Sequence, residues 1–207
     1  MKHLFLVVFI AVFSCKEVSS EKLPSELVNE EKSTKDYSKI HQEALTYCKT
    51  NGFNVNYYFL VDMSIHSGKN RFFVYDFISD TITDKNLVTH GSCDKFEDNK
   101  AKWEKVKFSN TKNSHCSSKG KFKIGKRDYS SWGINVKYWL HGLEPSNNNA
   151  LERVLVLHSW NAVKNEEIYP KYSPLSWGCP AVSNEFMIVL DEKLKTTKKP
   201  VLLWVIE

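Results

Sequence analysis

Short runs of β-branched and aromatic residues, separated by Asn, Gly and Ser, recur along most of the chain. Such runs are typical of β-strands, and the residues between them are typical of turns. We predict strands at seven places: residues 56–63, 71–77, 85–89, 133–140, 153–158, 185–190 and 201–206. Turns at 67–70 and 79–80 would join the first three strands into a meander. The predicted fold is mainly β, a β-rich α+β arrangement with a curled mixed sheet or β-sandwich and a few short helices.

Residues 40–47 have helical periodicity, whereas residues 16–38 have few apolar side chains to bury. Ile40, Ala44 and Leu45 share one face of residues 40–47, which predicts a short amphipathic helix at the domain edge. Residues 16–38 are rich in Lys, Glu and Ser, so we expect a flexible tether. Residues 39–207 are then sufficient for one domain with its own core.

The first residues predict export. A short basic start precedes an apolar run at 4–13, which has the length of a signal-peptide core and is too short to span a bilayer. Ser14 then precedes Cys15, which resembles a relaxed lipoprotein signal-peptidase site. We expect residues 1–15 to be a lipoprotein-type signal peptide, with Cys15 lipidated and the protein anchored at the periplasmic face of the cell envelope. Simple cleavage near Ser14 or Ser20 is the alternative.

A histidine and a cysteine form a candidate nucleophilic pair. His158 ends an apolar, β-branched run that predicts a buried strand, and Cys179 lies in the stretch Ser176-Trp177-Gly178-Cys179-Pro180. A thiol attacks only as thiolate, so a catalytic cysteine needs a neighbouring imidazole or backbone N–H groups. Gly178 lets backbone amides approach the sulfur closely. The pattern predicts a cysteine acyl-transfer enzyme, and the histidine-before-cysteine order argues against a papain-type peptidase.

This motif resembles the active site of the murein L,D-transpeptidases, cysteine enzymes that remodel peptidoglycan, in the branch that has Ser-Trp-Gly-Cys-Pro. The resemblance covers residues 58–190 and suggests an exported lipoprotein of a Gram-negative bacterium. Its upstream matches are Phe72-Phe73-Val74-Tyr75-Asp76, His90-Gly91, Phe108-Ser109-Asn110, Ser117-Ser118-Lys119-Gly120, Leu140-His141-Gly142-Leu143-Glu144 and Asn148-Asn149-Ala150. Two positions depart from the more familiar motif: Trp177 stands in place of histidine and Ala181 in place of asparagine.

The resemblance implies the L,D-transpeptidase catalytic fold and assigns catalytic roles. Cys179 would attack the carbonyl of the L–D bond before the D-alanine of a stem tetrapeptide. His158 would take the thiol proton, its ring oriented by the backbone carbonyl of Ser159. The backbone N–H groups of Trp177, Gly178 and Cys179 are the candidate oxyanion hole.

Four further residues are candidate substrate contacts: Ser176, Arg153, His90 and Trp160. Each has a structural alternative. The Ser176 hydroxyl could instead fix its own loop, Arg153 could pair with a structural acid, and His90 could be a satisfied structural histidine. Trp160 is either a cleft wall that stacks on the stem peptide or part of the core.

Three functions fit these residues, and all have peptidoglycan stem peptides as the partner. An L,D-transpeptidase passes the acyl group to an amine, whereas an L,D-carboxypeptidase passes it to water. A non-catalytic murein-binding lipoprotein would instead keep Cys179 as an inert buried thiol. We expect a monomer that needs no cofactor.

The remaining cysteines and the net charge bear on disulfide formation, metal binding and nucleic-acid binding. Cys48, Cys93 and Cys116 are left of the five cysteines, and a Cys93–Cys116 disulfide and reduced burial are both open. No metal site is predicted, because the His and Cys residues near 90 and 115 lack the spacing of zinc ligands. The net charge of +5 is scattered, so we expect no nucleic-acid binding.

Overall fold

A mixed β-sheet with short helices makes up the part of the chain that the structure, a computed structural model, describes: residues 35–94 and 101–207. The strands are β1 Tyr57–Asp62, β2 Phe72–Asp76, β3 Thr81–Asn86, β4 His90–Gly91, β5 Gly120–Tyr129, β6 Val136–Gly142, β7 Val156–Ser159, β8 Leu175–Ser176, β9 Ala181–Val182 and β10 Leu202–Ile206. The helices are α1 Ser38–Thr50, α2 Ala101–Glu104 and α3 Asn184–Thr196. The predicted signal peptide, Cys15 and nearly all of the predicted tether lie outside the described residues.

Eight strands form one sheet in the order β3-β2-β1-β10-β5-β6-β7-β9. Most neighbours are antiparallel, and the pairs β1–β10 and β7–β9 are parallel. Strands β4 and β8 form a separate parallel pair. The mainly β prediction, with a curled mixed sheet and a few short helices, is confirmed.

Alternate side chains of β1 enter two different hydrophobic clusters. Phe59 and Val61 belong to the cluster that contains residues of α3, whereas Tyr58 and Leu60 belong to the cluster that contains residues of α1. Because successive side chains of a strand point to opposite faces, the sheet is covered on both sides. Each fully buried side chain of this size contributes about 1.5–3 kcal/mol. This two-sided burial fixes the position of the central strands.

The domain begins slightly earlier than predicted. Residues Asp36–Glu207 form one compact unit, and α1 begins at Ser38. Tyr37, which the sequence analysis assigned to the tether, is buried, and its hydroxyl donates to Asp62 Oδ2 at 2.7 Å. This residue therefore packs as part of the domain.

The predicted strand at 185–190 is wrong, because these residues lie in helix α3. Phe186, Met187 and Leu190 are buried at helical spacing, and Ser183 caps the helix by accepting a hydrogen bond from the Phe186 N–H. Strand β5 was missed, although Phe122 and Ile124 alternate with lysines in the way expected of a half-buried strand.

Several strand boundaries also differ. Strand β7 begins at Val156 rather than 153, so that Arg153 lies in the turn before it. Strand β3 covers Thr81–Asn86, whereas residues 85–89 were predicted. The turn predicted at 79–80 is present between β2 and β3. Within residues 35–94 and 101–207, none of the helices has the length and apolar character to cross a membrane.

Candidate active site

Adjacent strands bring the predicted base and nucleophile together. In the parallel pair β7–β9, His158 is in register with Ala181, and Cys179 stands two residues before that alanine. The His158 N–H donates to the Pro180 carbonyl at 3.4 Å. The sequence separation of the two motifs is therefore bridged by sheet pairing, which places the cysteine at the edge of the strand that carries the histidine.

The ring of His158 is held by a backbone carbonyl. Its Nδ1 lies 2.9 Å from the oxygen of Ser159. Because a carbonyl only accepts, Nδ1 must carry the proton and Nε2 has the lone pair. Burial lowers the pKa of His158, and the Ser159 carbonyl opposes this only in part. The imidazole is therefore neutral at neutral pH and able to accept a proton.

The sulfur of Cys179 lies between main-chain groups of Val154, in the turn before β7, and Val156, the first residue of β7. It accepts a hydrogen bond from the Val156 N–H at 3.4 Å, and the thiol donates to the Val154 carbonyl at 3.6 Å. Val154 adopts φ +57°, which is unusual for a β-branched residue. Burial raises the pKa of Cys179, and the Val156 hydrogen bond and the charges of Arg153 and Lys137 oppose it. The resting group is a thiol.

Arg153 has no carboxylate partner among the described residues. Its Nη1 donates to the Ser109 carbonyl at 2.5 Å and to the hydroxyl of Ser118. Its Nη2 donates to the Cys116 carbonyl at 2.6 Å and to Ser114 Oγ at 3.3 Å. The predicted structural acid is therefore not its partner within the described residues, and a contact with substrate stays a prediction. The charge of Arg153 lies close enough to Cys179 to favour the thiolate.

The hydroxyl of Ser176 makes hydrogen bonds inside the nucleophile loop, residues 176–180. It donates to the Cys179 carbonyl at 2.7 Å and accepts from the Gly178 N–H at 3.2 Å. Thr89 Oγ1 donates to the same Cys179 carbonyl at 3.0 Å and accepts from the Ala181 N–H at 2.9 Å. The structure therefore corrects the candidate substrate contact: Ser176 fixes the loop. Nothing in the sequence marks Thr89, because its hydroxyl contacts main-chain atoms.

The same hydrogen bond changes the candidate oxyanion hole. The Gly178 N–H is engaged by Ser176, whereas the N–H groups of Trp177 and Cys179 have no acceptor in the part of the chain that the structure describes. Gly178 has φ +103°, and a Cβ there would lie 2.5 Å from the Cys116 carbonyl oxygen. Glycine is thus required both by conformation and by close approach.

His90 is a structural residue rather than a substrate contact. It is 1% exposed, its Nδ1 accepts from Arg71 Nη2 at 2.9 Å, and its Nε2 lies 2.7 Å from the Lys102 carbonyl. Since arginine only donates, the ring proton must be on Nε2. Burial and then the Arg71 charge lower the pKa of His90 to about 4. Both ring nitrogens are therefore satisfied inside the protein.

The two tryptophans nearest the pair in sequence differ in exposure. Trp160 follows β7, is partly buried, and makes an edge-to-face contact with Trp132 at 5.7 Å between ring centroids. Trp177 is 76% exposed and stacks on His115. Trp160 thus lies directly after the His158 strand, whereas the Trp177 indole extends from the nucleophile loop toward solvent.

Of the two open alternatives for the remaining cysteines, the structure has the Cys93–Cys116 disulfide. Cys48 is a buried free thiol whose pKa burial raises to about 12. Among residues 35–94 and 101–207, no group of three or more His, Cys, Asp or Glu side chains could hold a metal ion.

Solved structures similar to this chain have low sequence identity to it, and the matched region covers a different share of each. The L,D-transpeptidase from Xylanimonas cellulosilytica is 12% identical with a TM-score of 0.39, over 77% of this chain and 68% of that one. Bd1075 from Bdellovibrio bacteriovorus is 14% identical with a TM-score of 0.43, over 75% and 50%. The helical cell shape determining protein Pgp2 from Campylobacter jejuni, as a K307A mutant, is 11% identical with a TM-score of 0.43, over 80% and 53%.

No curated protein sequence matches the chain. The family model described as the L,D-transpeptidase catalytic domain matches residues 31–203. That match includes the β7 histidine, the nucleophile loop and every strand of the sheet except the last residues of β10. The chain therefore belongs to the L,D-transpeptidase catalytic domain family.

Proposed function

We propose that this chain is a cysteine L,D-transpeptidase that cleaves the L–D bond before D-alanine in stem tetrapeptides through a thioacyl intermediate on Cys179. Membership of the family supports an enzyme that acts on peptidoglycan. The observation that carries the finer assignment is the orientation of His158. Its Nδ1 is held by Ser159 at 2.9 Å, which leaves Nε2 as the base beside a strand that begins two residues after the nucleophile.

The reaction begins from a neutral pair. Burial disfavours both the thiolate of Cys179 and the imidazolium of His158. Nε2 of His158 takes the thiol proton as the sulfur attacks the peptide carbonyl, so that a C–S bond forms and the carbonyl π electrons move to oxygen. Arg153, already anchored by its four hydrogen bonds, favours the thiolate while this transfer takes place.

The tetrahedral oxyanion would be stabilised by the backbone N–H groups of Trp177 and Cys179. The Gly178 N–H instead donates its hydrogen bond to Ser176 Oγ within the loop. One such donor contributes about 3 kcal/mol in hydrolases. Collapse of the intermediate breaks the C–N bond, and His158 returns its proton to the departing D-alanine nitrogen. A thioester on Cys179 remains.

The second half-reaction depends on the acceptor. His158 takes a proton from an incoming amine or water, which attacks the thioester, and the thiolate leaves and is reprotonated. An amine of a second stem peptide gives a crosslink, whereas water gives a trimmed tripeptide. The same residues serve both reactions, so carboxypeptidase activity is the alternative outcome of the same site.

We also propose a location for this activity. The apolar run at 4–13 and the Ser14–Cys15 pair support a lipid-anchored protein at the periplasmic face of the cell envelope, acting as a monomer. Cys15→Ala should then move the protein from the membrane fraction to the soluble one. Mature protein that begins after residue 15 without lipid mass would contradict the anchor.

A strained β-lactam tests the chemistry of the site. A carbapenem presents a carbonyl to the thiol, and ring opening leaves a thioester on the enzyme. We expect one covalent adduct, mapped to Cys179 by intact-mass and peptide analysis, and none in Cys179→Ala. An adduct at Cys48 instead, or unmodified protein after long incubation, would contradict the nucleophile assignment. An inert thiol is also what a non-catalytic murein-binding protein would show.

A further inference from the structure

The nucleophile loop rests on a second segment of the chain. The indole of Trp177 stacks on the imidazole of His115, with ring centroids 5.1 Å apart and an interplanar angle of 15°. One residue further along both segments, the backbone of Gly178 packs against the Cys116 carbonyl, to which a Cβ would come within 2.5 Å. Two successive loop residues thus contact two successive residues of the other segment.

His115 is itself held from the opposite side. Its Nδ1 lies 2.6 Å from Asp94 Oδ2, and its carbonyl accepts from the Cys93 N–H at 3.2 Å. The Cys93–Cys116 disulfide joins the neighbours of both residues. A partly exposed imidazole would otherwise sample several rotamers. The carboxylate, the main chain and the disulfide together restrict the ring to the position from which it meets the indole.

The stack on His115 matters because the nucleophile loop carries a candidate oxyanion donor, the backbone N–H of Trp177. Trp177 is 76% exposed, so the remainder of the protein covers little of its side chain. The residue after it, Gly178, has φ +103°, a conformation that favours glycine, so this residue offers no side chain that could anchor the loop. The loop is fixed at Ser176 and at the Cys179 carbonyl. The stack adds a third restraint between these two, through the side chain of Trp177.

We propose that His115 is a positioning residue for the oxyanion site: by stacking on Trp177 it fixes the direction of the Trp177 backbone N–H. This inference rests on the proposed function, since it concerns the same acyl-transfer step. His115 touches neither sulfur nor substrate in this assignment and acts only through the loop. Asp94 supports it by holding the ring, and the disulfide supports both.

Two reactions of the Cys179 thiol are compared. The comparison separates a loss of oxyanion stabilisation from a change in the exposure of the thiol. Acylation by a carbapenem passes through an oxyanion, whereas alkylation by iodoacetamide does not. In His115→Ala we expect acylation to slow by about tenfold, the upper range for an aromatic pair, with alkylation unchanged. His115→Phe, which keeps a ring for stacking, should recover most of the acylation rate. Asp94→Ala should lie between His115→Ala and the wild type.

Coupling to the indole completes the test. Trp177→Ala should slow acylation by a similar factor, and the double variant with His115→Ala should be no slower than either single variant, because both remove the same contact. His141→Ala, a partly buried histidine on β6 away from the loop, is the matched control. Thermal melts of each variant check that the fold is retained.

The outcomes are distinct. Acylation of His115→Ala at the wild-type rate, or equal slowing of acylation and alkylation, overturns the positioning role. Strictly additive effects of His115→Ala and Trp177→Ala also overturn it. A wild-type protein that no carbapenem acylates would contradict the proposed function instead. The acylation of the wild type is therefore measured before that of any variant.

Discussion

The backbone N–H of Val156 donates a hydrogen bond to the sulfur of Cys179, with 3.4 Å between the two atoms. Val156 is the first residue of β7, and His158 lies two residues further along the same strand. The strand therefore holds the thiol with its main chain and supplies the proposed base with its side chain. The same hydrogen bond is the largest effect that opposes the rise in the pKa of Cys179 caused by burial.

Arg153 is expected to tune the thiol. Arg153→Gln removes a cation whose charge lowers the pKa of Cys179, so that pKa should rise further and less thiolate should form at neutral pH. Loss of its hydrogen bonds should also destabilise the fold by about 2 kcal/mol. A titration of thiolate absorbance, with Cys179→Ala as the blank, measures the shift. Arg127→Gln, which removes an arginine paired with Asp191, is the control and should leave the titration unchanged.

An unchanged Cys179 titration in Arg153→Gln would contradict this electrostatic role. The four contacts of the guanidinium would then be purely structural.

Val154 offers a stability test, because its φ of +57° is costly for a β-branched residue. The side chain is 54% exposed, so little packing is lost on replacement. Val154→Asn should stabilise the protein by about 1 kcal/mol and raise Tm by about 2–4 °C. Val55→Asn, at an exposed position outside the positive-φ set, should give no gain. A lower Tm for Val154→Asn would show that the side chain makes contacts that outweigh the strain.

Sequence patterns predicted the candidate pair that the sheet brings together, but not the groups that support it. His158 and Cys179 were found because the motif is local and the strand before the histidine is apolar. The supports of the site are main-chain and hydroxyl groups, several of them on segments far from the motif in sequence: Thr89, Ser109, Cys116, Val154 and Val156. A main-chain carbonyl is common to all residues and an N–H to all except proline, and hydroxyl residues are frequent, so nothing in the sequence marks these. They become visible only when the sheet brings the segments together.

The errors in secondary structure have similar causes. Residues 185–190 contain Phe, Met, Ile, Val and Leu, which fit a buried strand and a helix equally well over so short a run. The Ser183 cap was the signal that favoured the helix. For His90 the sequence left a substrate contact and a satisfied structural histidine both open, and Arg71 and Lys102 satisfy its ring inside the protein.

His90 should make stability depend on pH. Its pKa is about 4 in the folded protein, and an unfolded histidine has a pKa of about 6.5. Between these values the unfolded chain binds more protons, so stability must fall as the pH falls from 6.5 toward 4, by up to about 3 kcal/mol. His41, whose pKa burial also lowers to about 4, acts in the same direction.

Chemical denaturation of the wild type and His90→Gln across this pH range measures the effect. The variant should be less stable at neutral pH but should lose less stability on acidification, and His41→Gln with His90→Gln should flatten the curve further. An identical slope in the wild type and His90→Gln would contradict the assignment of a neutral buried ring.

His158 should be needed for acylation and not for folding. His158→Ala should slow carbapenem acylation by about 10²–10⁴-fold, the range of a general base, and His158→Ala with Cys179→Ala should be no worse than Cys179→Ala alone. Because burial lowers the pKa of His158, the acid limb of the acylation rate should lie below about pH 6.5. His141→Ala is the control, and a wild-type rate in His158→Ala would contradict the base assignment.

Peptidoglycan itself provides the most direct test of the central claim, that Cys179 breaks the L–D bond before D-alanine. Purified wild-type protein and Cys179→Ala are each incubated with peptidoglycan that contains stem tetrapeptides, and the digested products are identified by mass spectrometry. The wild type should release D-alanine and yield either crosslinks between two diamino acids or trimmed tripeptides, and Cys179→Ala should yield neither. Unchanged tetrapeptides after treatment with the wild type, or equal conversion by Cys179→Ala, would contradict the account.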